Sequence, residues 1–184
     1  MSRFVMLMVI SILPVFYTHA GTAVFGGGSF WVMESLFAGR PGIERIEPGW
    51  MQGDTRQPRR QVVRVHYDHK VLTYGDLLTL YWQAVDTQDG AGQFCDRGQE
   101  YSPALFVQGS LQLKWARQSR SRLWLEQSQS LAVRILPVSS FVPAEARHRQ
   151  FYQQHPLLFF AYRKVCGYPD GTGLSMQPLL AGRP

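Results

Sequence analysis

The stretch from Phe25 to Phe37, Phe-Gly-Gly-Gly-Ser-Phe-Trp-Val-Met-Glu-Ser-Leu-Phe, constrains this chain most. Thr22 to Phe25 is a short β-type run, three glycines follow, and Phe30, Met33, Leu36 and Phe37 then recur at helical spacing over Ser29 to Ala38. The pattern predicts a strand that ends in a glycine turn and feeds a helix beginning at Ser29. A side chain at that point sits beside unpaired backbone N–H groups and the positive end of the helix dipole, which favours an anion. Serine is also an ordinary N-cap and Phe-Trp an ordinary core pair, so the stretch takes its meaning from the rest of the chain.

A chain of 184 residues, 45% of them hydrophobic, is long enough for one domain with a real core and short for two. Residues 1–20 read as a secretory signal peptide: Arg3 supplies a basic start, Phe4 to Tyr17 an apolar run, and Thr18-His19-Ala20 a small-residue cleavage site. The apolar run is short for a bilayer span, and no later segment could make one. Residues 21–184 are then one domain, expected to be a monomer exported to the periplasm or beyond. The formal net charge of +6 is spread over scattered arginines, among them Arg59, Arg60, Arg64, Arg117, Arg120, Arg122, Arg147 and Arg149, with no nucleic-acid-binding motif beside them. A solvated basic face is the expectation, with at most loose attraction to an anionic envelope surface. Two cysteines remain, Cys95 and Cys166, and three readings of them stand open: a disulfide, a redox pair or two independent thiols. Neither they nor the five scattered histidines show metal-ligand spacing.

After the glycine turn, Ile43 to Ile46 reads as an extended piece and Pro48 to Pro58 as a turn-rich connection. Val63, Val65 and Tyr67 alternate with Arg64 and His66, predicting a strand over Gln61 to Tyr67 with one wet face. Thr73 caps a helix through Ala84 whose buried side carries Leu77, Leu78, Leu80, Tyr81 and Trp82. Asp86 to Glu100 lacks apolar periodicity and reads as a functional surface loop. A strand at Leu105 to Val107, a basic helix over Leu111 to Leu125, a strand over Leu131 to Leu136 and a short helix from Pro143 to Tyr152 complete the pattern. Beyond about residue 167 a coil-rich tail is expected. Short strands with wet faces alternating with helices predict an α+β fold, a mixed central sheet with helices packed over it.

Taken together, several segments resemble the peptide methionine sulfoxide reductase A family. They are Gly27-Gly28-Ser29-Phe30-Trp31, where the family has Gly-Gly-Cys-Phe-Trp; Pro41-Gly42-Ile43; Val62 to Asp68; Gly92-Gln93-Phe94-Cys95-Asp96-Arg97-Gly98; Tyr101; and Phe141 to Glu145 with His148 and Tyr152. The resemblance runs from Thr22 to Cys166 and implies a ferredoxin-like two-layer core. It also implies an activity: a cysteine at the Ser29 position attacks the sulfoxide sulfur of methionine S-sulfoxide in peptides, and a nearby acid protonates the leaving oxygen. The resulting sulfenic acid passes to a second cysteine and then to a thioredoxin-type reductant, with no bound cofactor. Phe30 and Trp31 match the residues that hold the substrate methyl, Asp96 and Tyr101 those around the sulfoxide oxygen, and Cys166 falls where many members carry a resolving cysteine.

The departures fall on the chemistry. Ser29 replaces the nucleophile, and a serine oxygen cannot be carried reversibly through a sulfenic acid and a disulfide. Gln61 stands at the acid position, where an amide cannot deliver a proton as a carboxyl group does. Arg59 and Arg60 replace a usual His-Ala, and the connection from Gly49 to Gln61 is shorter than the family's. The expectation is a family member that has lost most or all reductase activity and can still bind methionine sulfoxide. Two other readings stand beside it: an active reductase using a displaced thiol, Cys95 with Cys166 as resolver, and a non-catalytic envelope interaction module.

Overall fold

The computed structural model describes residues 20–53 and 58–169, so the expected signal peptide lies outside the described residues except for Ala20, and so does the tail beyond 169. Strand β1 (Ala20–Gly26) leads through the glycine turn into helix α1 (Phe30–Phe37). Strands β2 (Ile43–Met51) and β3 (Arg60–Asp68) form a hairpin, followed by helix α2 (Tyr74–Ala84). The two-residue strands β4 (Gly92–Gln93) and β5 (Asp96–Arg97) make a separate small hairpin in the loop predicted there. Strand β6 (Ala104–Val107), helix α3 (Gly109–Gln127), strands β7 (Arg134–Pro137) and β8 (Phe141–Pro143), and helices α4 (Phe151–Gln154) and α5 (Pro156–Cys166) complete the order.

The main sheet runs β7-β6-β1-β3-β2-β8. Its β6–β7 pair is parallel and the other pairs are antiparallel, giving the mixed sheet of the expected α+β class. One face packs on α1 and α2 through Phe25, Phe37, Leu77, Leu78 and Tyr81. Phe25 lies between Phe37 and Tyr81 at ring separations of 4.9 and 5.5 Å. The Tyr81 hydroxyl donates to the Gly26 carbonyl at 2.9 Å, so the core side of α2 also anchors the glycine turn. A second core of Val24, Met51, Val62, Ala104, Phe106 and Leu136 covers the other face. Helix α2 starts at the predicted cap, where Thr73 and Asp76 exchange hydrogen bonds in a capping box. The predicted wet face of β3 carries an ion cluster in which Glu47 accepts from Arg64 at 2.7 Å and from His66 at 2.8 Å.

Several boundaries differ from expectation. Pro48 to Met51 is strand rather than turn: β2 continues through Pro48, pairing with β3 and β8, because the flanking ladders outweigh local turn propensity. Pro48 needs no donor there, and its carbonyl accepts from Ala144 N at 2.9 Å. The strand expected from Leu131 begins only at Arg134, where pairing with β6 begins. The helix expected over Pro143 to Tyr152 is split into β8, a 3-10 turn at Ala146–His148 and α4, because Phe141 to Pro143 pair with β2. Pro156 opens a full helix, with the proline at a position where its missing N–H costs nothing.

Candidate active site

Ser29 is the N-cap of α1, with an extended backbone (φ −62°, ψ 139°), and its Oγ accepts from Trp31 N at 3.2 Å. The next free donor of the helix, Phe30 N, gives its hydrogen to Gln61 Oε1 at 3.1 Å, so β3 delivers the expected acid position against the first turn of α1. Ser29 N itself donates to Asp96 Oδ2 at 2.9 Å. The structure therefore brings Ser29, Phe30, Gln61 and Asp96 together at one helix start. Tyr101 joins them: its carbonyl accepts from Gly28 N at 2.8 Å. Burial, with Asp96 and Glu100 beside it, raises the Tyr101 pKa and keeps the phenol protonated.

Asp96 Oδ2 also accepts from Tyr162 and Tyr168, both at 2.6 Å. Burial first raises the pKa of both phenols, and the carboxylate each donates to raises it further, so both remain donors. Residue 28 must be glycine here, since its φ is +80° and a Cβ would lie 2.7 Å from the Tyr168 hydroxyl. The aromatic residues form the wall. Trp31 stacks on Phe151 at 4.0 Å, with His148 at 6.0 Å and Tyr162 at 6.5 Å. Phe30 meets Trp50 edge-on at 5.8 Å, and the Arg59 guanidinium lies 4.2 Å from the Trp50 ring centre. Trp31 Nε1 is buried without a hydrogen-bond partner among the described residues.

Cys95 and Cys166 form a disulfide, with Cα atoms 5.2 Å apart, which excludes two independent thiols. It fastens α5 to the hairpin loop that carries Asp96 and so helps set Tyr162 and Tyr168 over the carboxylate. These two tyrosines, Phe151 and Trp50 are the site residues that sequence reasoning missed. The signal was the aromatic density after Pro156, but nothing local shows that this segment folds back on Ser29. Among the described residues no group of histidine, cysteine and acidic side chains could hold a metal ion.

Behind the site, Glu34 of α1 is 2% exposed and accepts from Gln150 N at 2.8 Å. Burial pushes its pKa up from 4.5 to about 7, against the pull of that hydrogen bond and of Arg149. Between about 4.5 and 7 the folded chain holds this proton and the unfolded chain does not, so the contribution of Glu34 to stability falls as pH rises across the window. Urea denaturation at several pH values is expected to show this decline in the unmodified protein and a flatter profile in Glu34→Gln, which keeps the acceptor for Gln150.

The site is thus a capped helix start on an α+β sheet, with a carboxylate and an amide around it and an aromatic wall beside it. A family model described as peptide methionine sulfoxide reductase matches residues 21–168, and the chain belongs to that family. It is similar to Peptide methionine sulfoxide reductase MsrA 2 of Caulobacter vibrioides, 39% identical over 160 residues that cover 79% of this chain and 80% of the relative. Its fold is similar to that of Mxr1 from Saccharomyces cerevisiae in reduced form, with a TM-score of 0.70 at 20% identity over 84% of this chain and 91% of that one. The same yeast protein solved in complex with Trx2 gives a TM-score of 0.55 at 18% identity, over 75% of this chain and 90% of that one.

Proposed function

We propose that this chain is an exported member of its family that keeps the methionine sulfoxide pocket and has lost the reductase chemistry, wholly or nearly so. One observation carries the reading: the chain has two cysteines, they are bonded to each other, and the helix start holds a serine. No thiol is left to attack a sulfoxide sulfur or to receive its oxygen as a sulfenic acid. Gln61, with its amide oxygen already accepting from Phe30 N, supplies no ionisable proton in place of an acid. The pocket groups remain. Phe30 and Trp31 offer apolar surface for a methyl group, Trp31 Nε1 is a buried donor without a partner among the described residues, and Asp96 and Tyr101 would border a sulfoxide oxygen. Export is supported by the basic start and apolar run of residues 1–20 and by a disulfide suited to an oxidising compartment. A thioredoxin-type reductant, of the kind seen with yeast Mxr1, would act here on the Cys95–Cys166 bond rather than in a catalytic cycle.

The test is a pair of measurements on the unmodified protein. Calorimetric titration with a short peptide carrying methionine S-sulfoxide is expected to show binding, weakened roughly tenfold or more by Trp31→Ala, as removal of a buried aromatic contact implies. A coupled assay with a thioredoxin-type reductant is expected to show no turnover. Turnover that survives Ser29→Ala and vanishes in Cys95→Ser would instead establish the displaced-thiol reductase. Absence of both binding and turnover would leave the envelope interaction module.

A further inference from the structure

Helix α3 carries Lys114, Arg117, Arg120 and Arg122 against a single acid, Glu126. Arg117, Arg120, Ser121 and Trp124 follow at intervals of three, one and three residues, which puts them on one face of the helix. That face looks onto the chain returning from α3 to β7, and with Ser130, Leu131 and Ile135 it lines a recess of about 380 Å³. Strand β7 is the edge of the main sheet, and β6 and β1 separate it from β3, which carries Gln61, so the recess is distinct from the candidate active site. Arg120 is half-buried and tied across the recess, its Nη2 donating to the Leu131 carbonyl at 3.0 Å. Its Nε is enclosed, whereas Nη1 is neither enclosed nor bonded within the described chain and stays open to solvent. Arg117, one turn earlier, is exposed, and no described carboxylate makes an ion pair with either arginine. Two like charges one turn apart repel, so the pair weakens the helix unless an anion meets it.

We propose that this recess binds a phosphate monoester that carries a planar ring, the chemistry of a free nucleoside monophosphate. The two guanidinia supply accessible donors and two positive charges, and the exposed hydroxyls of Ser121 and Ser130 add donors on either side. That set exceeds what the two oxygens of a carboxylate can use and suits the three oxygens and near-double charge of a phosphate monoester. Trp124, one turn beyond Arg120, is 54% exposed, and no described guanidinium lies over its ring. Its face is therefore free to stack on a base while the phosphate sits on the arginines. Leu131 is buried and Ile135 half-buried, and they give the recess an apolar floor against which the ring edge can lie. The volume falls within the range of about 300 to 1,000 Å³ typical of small-molecule sites.

The full chain is titrated with adenosine monophosphate at constant ionic strength, by calorimetry, beside inorganic phosphate and adenosine as separate ligands. Saturable one-site binding of the monophosphate is expected, with inorganic phosphate and adenosine each roughly tenfold weaker or more, because each keeps only one half of the contacts. Arg120→Met is expected to weaken binding roughly 10- to 100-fold, as loss of a hydrogen-bonded charge implies. Arg117→Gln and Trp124→Ala change exposed side chains and are each expected to weaken it roughly tenfold or more, so the test stands even if Arg120→Met does not fold. Absence of saturable binding to the unmodified protein would overturn the proposal. Equal affinity for inorganic phosphate would overturn it too, by reducing the recess to an unspecific anion patch. So would binding that neither Arg117→Gln nor Trp124→Ala weakens, since the nucleotide would then sit elsewhere.

Discussion

Ser29→Cys is expected to give slow but measurable reduction of a methionine S-sulfoxide peptide, in an assay where the unmodified protein gives none. The substitution places a thiol where Trp31 N already donates to the side chain and where the helix dipole favours a thiolate, the form that attacks. The attacking step then has its nucleophile and still lacks its proton donor. General acid catalysis contributes about 10² to 10⁴ in rate, so Ser29→Cys combined with Gln61→Glu is expected to exceed the single change by a factor in that range. A glutamate can keep the acceptor role that Gln61 Oε1 plays toward Phe30 N. Gln61→Glu alone is expected to give no activity, because no sulfur is present to take the oxygen. Cys166 is held by Cys95, so turnover is expected to depend on an added dithiol that reduces the sulfenic acid directly or frees Cys166 first. Initial rates with and without dithiothreitol measure this, and equal rates for the single and double variants would remove Gln61 from the acid position.

Loss of the Cys95–Cys166 bond is expected to destabilise the chain strongly. The bond joins residues 71 apart in sequence, and closing a loop of that length removes about 4 kcal/mol of freedom from the unfolded chain. For a chain of this size a loss of that order lowers the melting temperature by roughly 10 °C. Denaturation of the unmodified protein with and without reductant, beside Cys95→Ser with Cys166→Ser, measures it. The reduced protein and the double variant are expected to agree. Asp96 would lose the restraint that keeps Tyr162 and Tyr168 against it, so binding of a sulfoxide peptide should weaken along with stability.

The parts of this structure legible in the sequence are those decided by neighbours in the chain. The turn from β1 into α1 could be read because glycines and a 3.6-residue apolar period occur side by side, and the capping box at Thr73 because both partners lie within one turn. Pro48 misled, because its place in β2 depends on pairing with strands far along the chain. The meeting of Ser29 with Gln61 and Asp96 was reached through the resemblance and not through periodicity. Tyr162 and Tyr168 escaped both routes: their role comes from a fold-back over a separation that no local pattern records.

The carboxylate of Asp96 receives hydrogen bonds from Ser29 near the beginning of the described chain and from Tyr162 and Tyr168 near its end. Tyr162 lies in the last described helix and Tyr168 just after it, so the cover over Asp96 comes from the end of the described chain, while the strand and helix start that hold Ser29 come from its beginning. A chain stopped before Pro156 would keep the strands and helices that build both cores and would present Asp96 uncovered, which makes truncation a way to ask whether the pocket needs its lid to recognise a ligand.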